Sequence, residues 1–192
     1  MRFELITGLV MSGKTKYLIE LMRLMKRENY ITVVSDIVGK NENFRIRSRA
    51  EGFEEKIIPT LVIQKEDDLY NTIENKFFNN NNYCINTIFV DEVQFLETKH
   101  IDSLIKIANN YDIRIICSGI SHTFKHDMWD TIKYILTKKN IKVKTFRVKC
   151  YYCDQNAERN KKIRGSINSG DIDTNSGNGE KYIPSCLECW IK

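Results

Sequence analysis

The sequence predicts an α/β fold in which a mostly parallel sheet is flanked by helices, with a small domain at its C-terminal end. Three observations carry that expectation. Short β-branched runs alternate with helical patterns, a glycine-containing loop joins the first run to the first helix, and two Cys-x-x-Cys pairs fall in the last quarter of the chain. Strand alternating with helix requires crossover connections, and these cover both faces of a sheet.

In chain order, Phe3 to Thr7 is the first buried strand. Tyr17, Leu18, Leu21, Met22 and Met25 fall on one face of a helix running from about Lys14 to Glu28. Apolar runs at Ile31 to Val34 and Ile57 to Ile63 read as the next two strands. A helical pattern near Asp67 to Phe78 precedes a strand at Ile85 to Val90. Then follow a helix at His100 to Asn110, a strand at Ile113 to Cys117 and a helix at Asp127 to Thr137. Each run is short and bounded by polar residues, as buried strands are. Past about Asn140 the character changes, because Ile141 to Val148 alternates in strand fashion and leads into cysteines and a polar tract. A boundary there separates an α/β domain, residues 1–140, from a smaller domain, residues 141–192. The run Asn79 to Asn82 and the stretch Ser166 to Gly179 read as loop or disorder.

A chain of 192 residues can bury a real core as one domain with an appendage. The net charge of +5 is mild and its lysines are scattered, which gives little ground for a nucleic-acid partner. No stretch approaches the ~18 consecutive apolar residues of a membrane helix. A strand that starts at Phe3 leaves no room for a cleaved leader, so the expected compartment is the cytoplasm. Thiols stay reduced there, and the six cysteines read first as metal ligands or buried thiols.

The loop Gly8-Leu9-Val10-Met11-Ser12-Gly13-Lys14-Thr15 fits G-x-x-x-x-G-K-[ST] between a strand and a helix. That context is what phosphate binding requires: glycines let backbone N–H groups turn inward, and the helix N-terminus adds partial positive charge. Lys14 would reach the β and γ phosphates, and the Thr15 hydroxyl would ligate Mg²⁺. The core is therefore expected to be a P-loop NTPase fold that binds a nucleotide. A second element is then needed, a strand ending in an acid that holds Mg²⁺ through water. Ile85 to Val90 followed by Asp91 and Glu92 supplies it, at the carboxyl end where such sheets bind ligands. Glu92 is either a general base or a solvated strand-end carboxylate. The two motifs together indicate a nucleotide hydrolase or kinase without naming the acceptor.

Cys150, Cys153, Cys186 and Cys189 form two thiolate pairs with the pattern of a structural Cys₄ zinc site. Such a clip ties the C-terminal residues to the segment before Cys150 and makes the intervening chain a lasso, either a nucleic-acid ribbon or a lid. Cys84 and Cys117 read as small buried hydrophobes. His100, His122 and His126 lack a companion at metal spacing and read as surface or structural residues.

These residues resemble the type II thymidine kinases. GLVMSGKT at Gly8 to Thr15, FVDEVQFL at Phe89 to Leu96, SGISHTFKHDMW at Ser118 to Trp129, CYYC, and GEKYIPSCLEC carry the likeness across nearly the whole chain. The resemblance implies transfer of the γ-phosphate of ATP to the 5′-hydroxyl of thymidine or deoxyuridine, in nucleotide salvage. It implies that Glu92 is the base and that Gln94 sits by Mg²⁺ and the phosphates. Phe95, Phe124 and Trp129 would form the apolar pocket, with Met11, Ile120 and Thr123 nearby. The lasso would close over the nucleoside and read the base mainly with main-chain groups, while Tyr182 contacts base or sugar. Homotetramers and inhibition by the end-product triphosphate are further family properties.

Several positions depart from the family pattern. The family's Asp-x-Arg after the second strand is missing from DIVGKNENFRIRSR, where Lys40, Arg45 or Arg47 could substitute. The family's Ile-Gly-Gly becomes Asn175-Ser-Gly-Asn178, Trp129 replaces phenylalanine, and Asn160 replaces threonine or a small residue beside the base. Two other readings follow. One is a P-loop ATPase whose zinc ribbon binds nucleic acid through Tyr151, Tyr152, Arg159, Lys161, Lys162 and Arg164, a cluster whose preferred reading is a solvated face. The other is a nucleotide-binding relative with weak catalysis.

Overall fold

The computed structural model describes residues 2–38, 44–48, 53, 55–79, 84–164 and 181–192, with the side chains of Arg164 and Lys181 undescribed. Lys40, Asn80 to Asn82 and the lasso stretch Ser166 to Gly179, with its Asn175 to Asn178, lie outside these residues.

Six strands build the central sheet: β1 (Arg2–Gly8), β2 (Tyr30–Ser35), β5 (Leu61–Ile63), β6 (Thr87–Val90), β7 (Arg114–Ile120) and β8 (Ile141–Phe146). Their order is β5-β2-β6-β7-β1-β8, and every pairing is parallel. The edge strand β8, whose start lies at the expected boundary, pairs with β1 from Phe3↔Ile141 to Gly8↔Phe146.

The period of two along each strand sends alternate side chains to opposite faces. Leu5, Val33, Ile88, Val90, Ile115 and Cys117 meet helices α2 (Leu69–Ile73), α3 (Thr98–Tyr111) and α4 (Asp130–Leu136) through Leu69, Ile73, Leu104, Ile107 and Ile132. Ile6, Val34, Phe89 and Ile116 face the other way and are covered by Leu18, Ile19 and Met22 of α1 (Lys14–Arg23). Each fully buried aliphatic side chain here contributes on the order of 1.5–3 kcal/mol. Glu4, buried on the α1 face of β1, is neutralised by Arg114 of β7 at 2.7 Å.

The run Ile57 to Ile63 is two strands. Lys56–Ile57 (β4) pairs antiparallel with Ile46–Arg47 (β3), and Leu61–Ile63 enters the main sheet beside β2. Pro59 lies between them and has no N–H to give to a continuous ladder. α1 ends at Arg23, five residues early, where the Leu24 N–H bonds back to the Leu21 carbonyl and the Met25 N–H to the Met22 carbonyl. A 3-10 turn at Arg27–Asn29 follows. α2 is also shorter than its periodicity indicated and widens into a π-type turn at Glu74–Phe78. α4 starts at Asp130 because Met128 is drawn into a β-bridge with His122. Cys117 is buried, but Cys84 is exposed, contrary to its reading as a buried hydrophobe.

Beyond the sheet, β9 (Arg159–Arg164) and β10 (Lys181–Ser185) pair antiparallel, and a short helix α5 (Leu187–Ile191) ends the chain. No helix among the described residues is long and apolar enough to cross a membrane.

Candidate active site

Three connections meet at the carboxyl ends of β6, β7 and β1: the loop Leu9 to Gly13, the turn Asp91 to Phe95, and the loop Ser121 to Trp129. Gly8 takes φ 151°, and a Cβ there would stand 2.4 Å from the carbonyl oxygen of Phe146 on the edge strand. Gly13, at φ 86°, turns the chain into α1, and its carbonyl accepts the N–H of Tyr17. Lys14 is buried and folds back inside the loop, donating to the carbonyl of Leu9 (2.7 Å) and to Ser12 Oγ (3.3 Å). Burial pulls the Lys14 ammonium below its ordinary pKa, and the Glu92 and Asp91 carboxylates oppose that shift. Met11 stands on the outside of the loop, 56% exposed.

Across from the loop, Thr15 Oγ1 donates to Asp91 Oδ1 at 3.3 Å. Asp91 is buried, and the loss of water together with the neighbouring Glu92 charge pushes its carboxyl up to about 7. Glu92 takes a left-handed conformation, φ 52°, which starts the 3-10 turn Val93–Phe95. Within it, Gln94 donates from Nε2 to Glu92 Oε2 at 2.7 Å and accepts the Ile120 N–H on Oε1 at 3.1 Å. A carboxylate, a buried ammonium and a hydroxyl–carboxylate pair thus gather around one glycine-containing loop at the start of α1. That set can bind a polyphosphate and hold a divalent cation at its edge, with Thr15 and Asp91 supplying hard oxygen donors suited to Mg²⁺.

The aromatic residues form two contacts. Phe95 packs edge-on against Trp129 with centroids 5.3 Å apart, and Phe124 approaches Tyr182 of β10 at 6.2 Å. The loop that carries Phe124 is closed by Thr123, whose N–H donates to the Asp127 carbonyl and whose hydroxyl accepts the Asp127 N–H. Ile120 and Thr123 are buried at its base. Lys162 of β9 lies over both the Phe124 and Tyr182 rings, at 5.2 and 5.7 Å. Lasso and core therefore meet through side chains from separate parts of the sequence.

A residue that departs from the family pattern, Asn160, is anchored at both ends of its side chain. Asn160 is fully buried on β9; its Oδ1 accepts the Val10 N–H at 2.9 Å, and its Nδ2 donates to the His122 carbonyl at 2.7 Å. The turn after β2 carries Asp36 but no arginine two residues later, and Arg45 and Arg47 are exposed around β3.

The four cysteine sulfurs lie within 4.8 Å of one another. Cys153 is 3.7 Å from Cys186 and 3.9 Å from Cys189. A tetrahedral zinc with Zn–S bonds of ~2.3 Å has S···S edges of about 3.8 Å, so the thiolates stand at the spacing zinc requires. Backbone bonds from Tyr151 N–H to the Pro184 carbonyl and from Glu158 N–H to the Ser185 carbonyl splice the two cysteine segments together. His100 is buried as a cap of α3, accepting the Glu97 N–H on its Nδ1.

The family model described as thymidine kinase matches residues 1–190 of this chain. A thymidine kinase of Pseudothermotoga lettingae is 25% identical over 193 residues, covering 100% of this chain and 95% of that protein. One from Streptococcus agalactiae is 22% identical over 182 residues, covering 93% and 91%. A third, from Shouchella clausii, is 28% identical over 109 residues, covering 56% and 55%.

Proposed function

The chain belongs to the thymidine kinase family, and from that premise we propose that it transfers the γ-phosphate of ATP to the 5′-hydroxyl of thymidine or deoxyuridine, giving the monophosphate for nucleotide salvage. The observation that carries this reading is the continuity of one site. Thr15 is bonded to Asp91, Glu92 next in sequence is held by Gln94, Phe95 of the same turn packs on Trp129, and Phe124 packs against Tyr182.

In this reading the loop amides and Lys14 hold the ATP phosphates, and Thr15 and Asp91 would hold Mg²⁺. The ion, when bound, neutralises charge developing on the transferred group. Glu92 accepts the proton of the nucleoside hydroxyl as the oxygen attacks phosphorus, and Gln94 keeps that carboxylate aimed. Phe95, Phe124, Trp129 and Tyr182 enclose base and sugar, with Ile120 and Thr123 beneath them. Positioning and charge stabilisation are most of what phosphoryl transfer asks of a protein. The zinc held by Cys150, Cys153, Cys186 and Cys189 is structural, because four thiolates leave no open position. The enzyme acts in the cytoplasm as a homo-oligomer, a tetramer on the family pattern.

The alternative of a nucleic-acid-binding zinc ribbon has less support in the cation–aromatic cluster. Lys161 donates to the Cys189 carbonyl at 2.7 Å, and Arg159 covers the Trp190 ring at 4.8 Å, so both cations serve the zinc knob itself. Incubation with Mg·ATP labelled in the γ position and a panel of nucleosides tests the assignment. Label should move to thymidine and deoxyuridine and be lost in Glu92→Gln. ATP hydrolysis stimulated only by polynucleotide, with no labelled monophosphate, would overturn it.

A further inference from the structure

We propose that Asn160 is a positioning residue that latches the lasso to the phosphate loop, so that nucleotide and nucleoside binding are coupled through one carboxamide. The inference rests on the kinase reading for the nucleoside, but its core concerns only the chain's own hydrogen bonds.

Val10 lies in the middle of the phosphate loop, His122 begins the loop that carries Thr123 and Phe124, and Asn160 lies on the first lasso strand. Their separations in sequence are 150 and 38 residues, yet one side chain binds both partners from a fully buried position. The carboxamide is suited to this because it offers an acceptor and a donor about 2 Å apart in a fixed plane. A hydroxyl is too short to hold both partners at once, and a carboxylate would put an acceptor against the His122 carbonyl.

The Val10 N–H is committed to Asn160 and so is withheld from phosphate. Its role is to fix the direction of the loop that follows, Met11 to Thr15, which leads into α1. On the other side, the His122 carbonyl belongs to a loop tied to the core by the Ser121 N–H on the Gly8 carbonyl and the Trp129 N–H on the Ser121 carbonyl. Any movement of β9 that breaks one Asn160 bond leaves a buried donor or acceptor unsatisfied, which folding penalises. The lasso strand and the phosphate loop are therefore ordered together. A ligand that orders one side lowers the cost of ordering the other, and the coupling must be reciprocal.

The test compares wild type with Asn160→Ala and the near-isosteric Asn160→Leu, all shown to be folded by circular dichroism and zinc content. Hydrogen exchange at the Val10 amide and the affinity for Mg·AMPPNP are measured with and without thymidine. Both variants should exchange Val10 at least tenfold faster and bind the nucleotide analogue roughly tenfold more weakly, as expected for loss of hydrogen bonds in a buried site. In wild type, thymidine should tighten the analogue by about fivefold or more, and this factor should fall toward one in both variants. An effect of Ala without one of Leu would assign the role to packing and overturn the latch. So would unchanged Val10 exchange, or a thymidine effect that survives both substitutions. If thymidine does not bind at all, the kinase reading fails, and the exchange and nucleotide measurements still decide whether Asn160 shapes the loop.

Discussion

Gln94 holds Glu92 by a 2.7 Å bond from its Nε2 and is itself held by the Ile120 N–H on its Oε1. The amide thus hangs the proposed base from the end of β7, a rigid central strand. Removing it in Gln94→Ala leaves the Glu92 carboxylate able to rotate, and kcat for thymidine should fall roughly 10- to 100-fold, less than for loss of the base itself. Gln94→Glu replaces the donor to Glu92 with a like charge, and kcat should fall there as well. Steady-state kinetics check both, and wild-type kcat in the two variants would remove Gln94 from this role.

Asp91 gives a stability signature that requires no substrate. Its carboxyl is pushed up to about 7 by burial and by Glu92, against an ordinary value of 3.8. Between those values the folded protein binds more protons than the unfolded chain, so this group's stabilisation is present below about pH 4 and is lost as pH rises to about 7. Asp91→Asn does not titrate. In magnesium-free buffer its Tm should match wild type near pH 4 and exceed it increasingly up to pH 7 and above, while Mg·ATP-dependent activity is lost. Parallel thermal melts from pH 4 to 8 measure the difference, and a gap independent of pH would contradict the assignment.

The core of this architecture was legible because its signals are local. β-branched runs mark β1, β2, β6 and β7, and the spacing of Gly8, Gly13, Lys14 and Thr15 needs only one turn of chain to be meaningful. The paired cysteines were legible for the same reason. Boundaries were less so. Pro59 splits an apolar run whose two halves go to different sheets, and α1 stops at Arg23 although apolar residues continue to Met25. Periodicity reports which face is apolar, not where the backbone turns away. The role of Asn160 had no local signal, since both its partners are distant in sequence and one is a bare backbone carbonyl. Its identity as an unexpected amide in a buried lasso strand was the available clue.

The zinc knob should be required for the lasso rather than for the α/β core. Metal analysis should find about one zinc per chain, and cobalt substitution should give the visible bands of a tetrahedral thiolate site. Cys186→Ser removes a ligand that is buried and that also accepts the Cys189 N–H. Loss of the clip lets β9 and β10 separate, so kcat/KM for thymidine should drop more than tenfold, as structural zinc sites are folding energy for the segments they tie. Retention of wild-type kcat/KM by the zinc-free protein would show that the lasso holds its place without metal.

Gly119 sits on β7 directly beneath the turn that carries the base. A Cβ there would meet Gln94 Oε1 at 2.7 Å and Val93 Cγ1 at 2.8 Å, closer than real side chains approach. The strand is held here, because Gly119 pairs with Thr7 of β1, β6 pairs with β7 as far as Cys117, and the Gly119 carbonyl accepts the Thr7 hydroxyl at 3.1 Å. The turn must therefore lift. Gly119→Ala should cost about 1–3 kcal/mol of stability by overpacking against Val93. It should also lower kcat to nearly the level of Gln94→Ala, because the displaced Gln94 loses its hold on Ile120 and Glu92. The double variant discriminates this route from a general loosening of the site. If Gly119→Ala acts through Gln94, adding it to Gln94→Ala should reduce kcat hardly at all further, while the stability cost from Val93 persists. Fully additive losses in kcat would mean that the methyl group disturbs catalysis by some path other than Gln94.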